Sequence, residues 1–401
     1  MMTNLKRFGS WVAFLFYAVI ALEVLIMITP FTVFFYSLYA PILDFLYGHQ
    51  ATAWLTGFFF PHLAVAGNGF LIFLSALGPL LFILGLLFFL VCALQVYGAK
   101  LFRRAVVTGG LYRFIRHPQY LFLGISGLGL LLFWPRFIIL ILLVSMLFIY
   151  YFLARDEERR MKKTYPEAYA QYIQSVPYMF LPGNIGGKIF ARFPFSKSRR
   201  SFSFILLYVV SLTIAVGLAL GLREFSKSQI ATLKRKDILV ISLAPRSKKV
   251  IGQLLDISIK DDRVKWQLEN KIERGAIVTY LLPSDYMMQG LIAVSTMEHE
   301  EHHGKVSKKG VGFMVRHIWD MLTLKPMRQL KKSDPDATWR LIFTRALAPG
   351  GKRVDISEAM SLNVRREPVF FVDIDPISEK MIFLMETKPE HLWGNIPLPI
   401  F

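Results

Sequence analysis

Two short stretches hold the residues whose types and spacing suit chemistry: GLYRFIRHPQY, residues 110 to 120, and RDEERR, residues 155 to 160. Between them lies an apolar segment, residues 119 to 153, which Trp134, Pro135 and Arg136 divide into two runs of 15 to 17 residues. Runs of that length read as a helical hairpin that dips into an apolar medium and returns with short arms. A hairpin brings its ends together, so Arg116 and His117 must meet Glu157 and Glu158 at the membrane surface. Pro118 suits the first turn of a helix, where its missing N–H is no loss. The free N–H groups there, at the positive end of the helix dipole, favour an anionic group such as a carboxylate. Glu157 and Glu158 suit an ammonium, a ribose hydroxyl or a cationic sulfur. Together they fit a zwitterionic ligand with an amino-acid end, and the pattern alone leaves open which one.

Each of these residues also has a plainer reading. Arg113 and Arg116 serve equally as interfacial anchors whose stems snorkel along the apolar surface. Glu157 and Glu158 fit a solvated helix face balanced by Arg159, Arg160, Lys162 and Lys163. Tyr165, Tyr169 and Tyr172 have the spacing of an interfacial aromatic stripe.

The elements that position the two stretches are membrane helices. The chain is 54% hydrophobic and 14% aromatic, with a mean hydropathy of +0.45, well beyond the soluble norm. The apolar residues crowd into residues 11 to 222, and residues 223 to 401 have the composition of a charged globular domain. Residues 70 to 96 and 202 to 222 are each long enough to cross a bilayer. The run from Trp11 to Leu46 follows Lys6 and Arg7 but is too long for a signal h-region, and reads as a span or two broken near Pro30.

The fold expected is an all-α multi-span membrane domain of about five membrane helices, including the short hairpin, followed by a β-rich α+β globular domain. The divisions fall at residues 1 to 201, a further span and linker over 202 to 225, and 226 to 401. In the last part ILVISL from 238, VKWQL from 264, AIVTYLL from 276, LIAVS from 291, FFVDID from 370 and MIFLM from 381 read as strands, with a helix near 311 to 324. FFFPHLAVAGNG, residues 58 to 69, reads as lying along the outer interface.

A net charge of +19 invites a nucleic-acid reading. In the first half, however, Lys and Arg sit in loops beside apolar spans, the positive-inside pattern. Residues 97 to 118 carry Lys100, Arg103, Arg104, Arg113 and Arg116, residues 154 to 201 carry ten more basic residues, and the opposing loop 48 to 69 carries no Lys or Arg. The basic loops are therefore expected in the cytoplasm, and residues 226 to 401 across the membrane from them. A single cysteine, Cys92, precludes a disulfide within the chain. His299, His302 and His303, with His317, have spacing that can bind Zn²⁺, but loop histidines among acids are commonly solvated and no metal is expected. Glu23 and Asp44, beside apolar runs, fit a substrate path or a helix break near Pro30.

The stretches TGGLYRFIRHPQY (108 to 120) and EERRMKKTYPEAYAQYIQSVPYMFLP (157 to 182) resemble the integral membrane methyltransferases that include isoprenylcysteine carboxyl methyltransferase and the phospholipid methyltransferases. Arg116, His117, Pro118, Tyr120, Glu157, Glu158, Tyr169, Tyr172, Val176 and Pro177 match that family's pattern position by position. Three positions depart from it: Leu111 replaces a proline, Tyr165-Pro166 replaces Phe-Gly, and Tyr178 stands where an arginine usually follows Val-Pro. The resemblance implies S-adenosyl-L-methionine held by Tyr112, His117, Pro118, Tyr120, Glu157 and Glu158. Arg116 and Glu158 would take the catalytic roles.

Methyl transfer from a sulfonium is an in-line displacement that needs no metal, so the protein's task is chiefly to hold nucleophile and methyl at reactive distance. An amine acceptor would need a base, for which Glu158 and His117 are the candidates. The expected partner is a membrane lipid or a lipid-attached acceptor, reached through the bilayer. A degenerate membrane anchor presenting the C-terminal domain is the alternative. A membrane reductase is a third reading, disfavoured by the lack of a Gly-rich dinucleotide loop.

Overall fold

The computed structural model describes residues 40–62, 64–101, 106–180, 200–272, 275–287, 294–295, 319–320 and 323–388, together with Ala18, Ala21, Leu22, Leu25, Met27 and Thr29. Before residue 200 the described α-helical elements are α1 (Ala40–Tyr47), α2 (Gly69–Leu101), α3 (Pro118–Phe133), α4 (Phe137–Thr164) and α5 (Pro166–Ser175). After them α6 (Arg200–Ser228) leads into the sheet region. Among the described residues α2, α4 and α6 are long and apolar enough to cross a membrane, and α3 is a shorter apolar helix. The apolar helices mark the chain as an integral membrane protein. The reading of residues 11 to 46 falls largely outside the described residues.

The chain divides into two compact units. One comprises Met1–Tyr36, Leu80–Leu131 and Leu140–Ala215, and the other Ser37–Pro79, Leu132–Ile139 and Val216–Phe401.

In the first unit, α3 and α4 are the arms of the hairpin, and Pro118 opens α3 at its first position, where proline is pre-organised for a helix. The helices pack closely because Gly85 of α2 has no side chain. A Cβ there would lie 2.5 Å from the Ser126 backbone nitrogen and 2.8 Å from the Phe122 carbonyl oxygen of α3. Pro166 opens α5 in the same way as Pro118 opens α3.

The second unit is built on an eight-stranded mixed sheet of order β1-β2-β3-β5-β7-β8-β4, with β6 paired to β5. The strands are β1 (Thr232–Arg235), β2 (Ile238–Ser242), β3 (Ile277–Pro283), β4 (Val294–Ser295), β5 (Trp339–Ala348), β6 (Lys352–Arg353), β7 (Arg365–Asp375) and β8 (Lys380–Lys388). Strands β2 and β3 are parallel, which requires a crossover. Helices α7 (Lys248–Lys260) and α8 (Asp262–Gln267) supply it. Ser247 caps α7 by accepting from the Val250 N–H. Ile251, Leu254, Leu255 and Ser258 form its buried face, the spacing of an amphipathic helix. A short α9 (Lys325–Lys331) precedes β5.

VKWQL is helical, not a strand. Asp261 caps α8 by accepting from the Arg263 N–H at 2.9 Å, and Val264 is buried while Trp266 is exposed, as a crossover helix lying on the sheet demands. Most of the helix read near 311 to 324 falls outside the described residues, of which Trp319 and Asp320 are helical; the His299, His302 and His303 cluster also falls outside them, as does most of LIAVS, of which Val294–Ser295 is a strand. Residues 58 to 66 do not lie open. Phe58, Phe59, Phe60, Ala64, Val65 and Ala66 are buried, and the Val65 N–H donates to the Leu243 carbonyl at 2.8 Å. Arg136 of the hairpin tip donates to the Thr56 carbonyl, and its guanidinium lies 4.1 Å from the centre of the Phe58 ring.

Candidate active site at the mouth of the hairpin

Within the first unit the structure brings Arg116 and His117 against Glu157 and Glu158. Arg116 Nε donates to Glu158 Oε1 at 2.7 Å, with the two side chains 10% and 12% exposed. The remaining reach of Arg116 goes to the Val176 carbonyl, at 3.0 Å from Nη1. Arg116 and Glu158, expected to meet across the hairpin mouth, form one partly buried pair. Their separation from water strengthens the attraction within the pair relative to a surface bridge and makes loss of one partner costly.

His117 is buried, 5% exposed. Its Nδ1 lies 3.3 Å from Glu157 Oε2 and its Nε2 lies 3.4 Å from Glu158 Oε1. Neither ring nitrogen makes a well-formed hydrogen bond, so the contacts are ionic in character. Burial alone would drive the imidazole toward its neutral form, but the two carboxylates outweigh it and hold the pKa above the usual value. The backbone fixes the pair from below: the Arg116 N–H donates to the Tyr178 carbonyl at 2.9 Å and the His117 N–H to the Met179 carbonyl at 3.0 Å. Tyr178, the departure from the family's arginine, serves here through its main chain.

The tyrosines complete the enclosure. Tyr120 donates to Glu157 Oε1 at 2.6 Å and its ring stacks on Tyr150 at 4.9 Å. Tyr172 donates to the Tyr112 carbonyl at 2.7 Å, which ties α5 to the stretch before the hairpin. Tyr112 donates in turn to Gln119 Oε1 at 2.9 Å, and Gln119 Nε2 reaches Glu157 Oε2 at 3.5 Å. Burial pushes the Tyr172 hydroxyl up to about 12, so this chain of donors stays protonated at neutral pH. Tyr169 is buried beside Tyr172, with ring centres 5.9 Å apart. Pro118 presents no polar group and contributes by starting α3.

Gln119 and Tyr150 escaped the sequence reading. An amide inside an apolar run is costly in lipid and so a pointer to a site, and Gln119 carried that signal. Tyr150, one more aromatic in an aromatic-rich run, carried none. Among the described residues no group of three or more His, Cys, Asp or Glu side chains could hold a metal ion.

The fold and this cluster define a helical membrane segment with a compact charged site at the open end of a hairpin. The family model described as phospholipid methyltransferase matches residues 73–168, which include α3, the Arg-His-Pro stretch and Glu157 and Glu158. No curated protein matches the chain, and no solved structure does.

Proposed function

We propose that the chain is an integral membrane methyltransferase that uses S-adenosyl-L-methionine and acts on a lipophilic or lipid-attached acceptor, a prenyl-cysteine-like carboxylate or a phospholipid amine. The observation that carries this reading is the cluster of Arg116, His117, Tyr120, Glu157 and Glu158, drawn together inside the segment that matches the family model. The residues fit such a ligand. The buried His117 nitrogens have no well-formed hydrogen bond, and cationic and anionic side chains stand side by side, as a zwitterion requires. When bound, the cofactor supplies a methyl group on a cationic sulfur.

Arg116 and His117 orient a carboxylate, and Glu157 and Glu158 receive cationic charge and ribose hydroxyls. Tyr120, Tyr112 and Gln119 keep Glu157 in place. A carboxylate acceptor arrives already ionised. An amine acceptor passes its proton to Glu158, since His117 holds its own between the two carboxylates. The enclosure of the cluster by Tyr112, Tyr120 and Tyr172 limits water, which strengthens each of these interactions.

The cofactor site belongs on the cytoplasmic face and the C-terminal domain on the opposite face. Basic loops at residues 97 to 118 and 154 to 201 favour the first placement. The second follows from a single crossing by α6, which is long and apolar enough to span.

Incubation of the detergent-purified protein with membrane lipid extract and methyl-labelled S-adenosylmethionine tests the reading. Label should enter a lipid fraction, and Glu158→Gln should abolish transfer while inserting normally. A folded wild type that labels nothing and binds no cofactor would favour the degenerate anchor.

A further inference from the structure

The second unit carries a basic face that the roles above do not use. Leu324 precedes α9 in the left-handed conformation, with a φ of 55°, and turns the chain from the helical residues Trp319 and Asp320 into α9. Leu324, Pro326 and Met327 line a small cavity together with Ser75 of α2 and with Leu132 and Phe133 of the hairpin tip. Ser75 lies six residues into α2, about 9 Å along its axis at 1.5 Å per residue. On the same turns Phe70 and Phe73 are more than half exposed, as apolar side chains are where a helix meets lipid. Helix α9 therefore packs on the first turns of a membrane-spanning helix, at the level where the bilayer begins.

At that level α9 shows positive charge. Lys325, Arg328, Lys331 and Lys332 are exposed, while Pro326 and Leu330 are buried. Arg246 Nη2 donates to the Ser333 hydroxyl at 2.9 Å, and its guanidinium lies 4.8 Å from the centre of the Trp339 ring. These contacts bring the exposed Lys248 and Lys249, at the start of α7, to the same end of the sheet. Asp320, Asp334 and Asp336 offset part of the charge, Asp320 by pairing with Lys325 at 3.3 Å, and leave the face positive. Trp319, 63% exposed, stands just before α9, its carbonyl accepting from the Thr323 N–H at 2.9 Å. An exposed tryptophan beside cations whose stems lie along apolar surface is the composition of a membrane interface.

We propose that this face binds the headgroups of anionic phospholipids in the leaflet beside the second unit. Charge complementarity selects the occupant. Each Lys or Arg close to a membrane surface adds to the attraction for anionic lipid, and a neutral headgroup offers no net charge in return. The Trp319 ring suits the boundary just below the phosphates, where one end of an aromatic side chain is apolar and the other wet. None of the residues assigned to the cofactor takes part, so the proposal stands or falls without that reading.

The test reads the lipid next to α9. Met287 is exposed and its N–H donates to Gln329 Oε1 of α9 at 3.1 Å, so a bimane on Met287→Cys in a Cys92→Ala background reports on this face. The full-length protein is placed in phosphatidylcholine nanodiscs that contain a small fraction of nitroxide-labelled phosphatidylglycerol or, in a parallel sample, of nitroxide-labelled phosphatidylcholine. At equal mole fraction the labelled phosphatidylglycerol should quench the bimane at least about threefold more strongly. Lys325→Gln, Arg328→Gln, Lys331→Gln and Lys332→Gln together should bring the two lipids to within about 1.5-fold. Lys234→Gln, Lys260→Gln, Lys352→Gln and Lys380→Gln together remove the same charge from exposed positions elsewhere in the unit, and should leave the preference in place because screening confines the attraction to nearby cations. Equal quenching by the two lipids without these changes would overturn the proposal. So would a preference that survives the first set, or one lost equally with either set.

Discussion

Removing Glu158 should cost more than removing Arg116, although the two form one pair. Glu158→Leu leaves the Arg116 guanidinium, 10% exposed, with the Val176 carbonyl alone among the described residues. An orphaned buried charge of this kind costs about 3–5 kcal/mol. Arg116→Met leaves Glu158 with the His117 imidazole 3.4 Å away. The loss is then nearer that of one charge-assisted hydrogen bond, about 1.5–3 kcal/mol. The double variant removes both charges, and its cost should fall short of the sum by about 1–3 kcal/mol. Equilibrium unfolding in mixed micelles, followed by tryptophan fluorescence, measures all four corners of the cycle. Equal costs for the two single variants, adding to within about 0.5 kcal/mol, would refute the pairing and the asymmetry together.

Three further outcomes follow from other contacts. The native state holds the His117 proton more tightly than the unfolded chain does, so its contribution is complete below about pH 6.5 and is lost as pH rises through the folded value. Unfolding curves across that range should show wild type weakening with rising pH and His117→Gln weakening less; equal slopes would contradict the ionic bridge. Gly85→Val should cost about 1–3 kcal/mol by overpacking, because its Cβ meets the backbone of α3, not a movable side chain; a neutral effect in the same assay would argue against the close approach of α2 and α3. Cysteines placed singly in a Cys92→Ala background, at Lys163 and at Ser333, should be labelled from opposite faces of sealed vesicles, and labelling from one face would refute the proposed sidedness.

The hairpin was legible because two short apolar runs around Trp134-Pro135-Arg136 leave few alternatives, and closing it placed residues 116–117 against 157–158. Strands β2, β3, β7 and β8 announced themselves as apolar or β-branched runs between turns. Strand β5 did not, since Arg340 and Arg345 interrupt its pattern. Their charges are met across the sheet by Asp373 and Glu367 on β7, at 2.7 and 2.9 Å, which single-strand reading cannot foresee. VKWQL was ambiguous on period alone, and the crossover between parallel β2 and β3 decides it for a helix. Residues 58 to 66 looked interfacial because they are apolar and aromatic. Their true partners, the sheet and the hairpin tip, are distant in sequence.

The central claim is a cofactor site made by the Arg-His-Pro stretch and the Glu157–Glu158 pair. Calorimetric binding of S-adenosylmethionine to the detergent-purified protein, with His117→Ala and Glu157→Gln alongside, tests it most directly. The account predicts saturable, one-to-one binding that both variants lose while keeping a cooperative unfolding transition. Absence of binding in folded wild type, or equal binding in all three proteins, would contradict it.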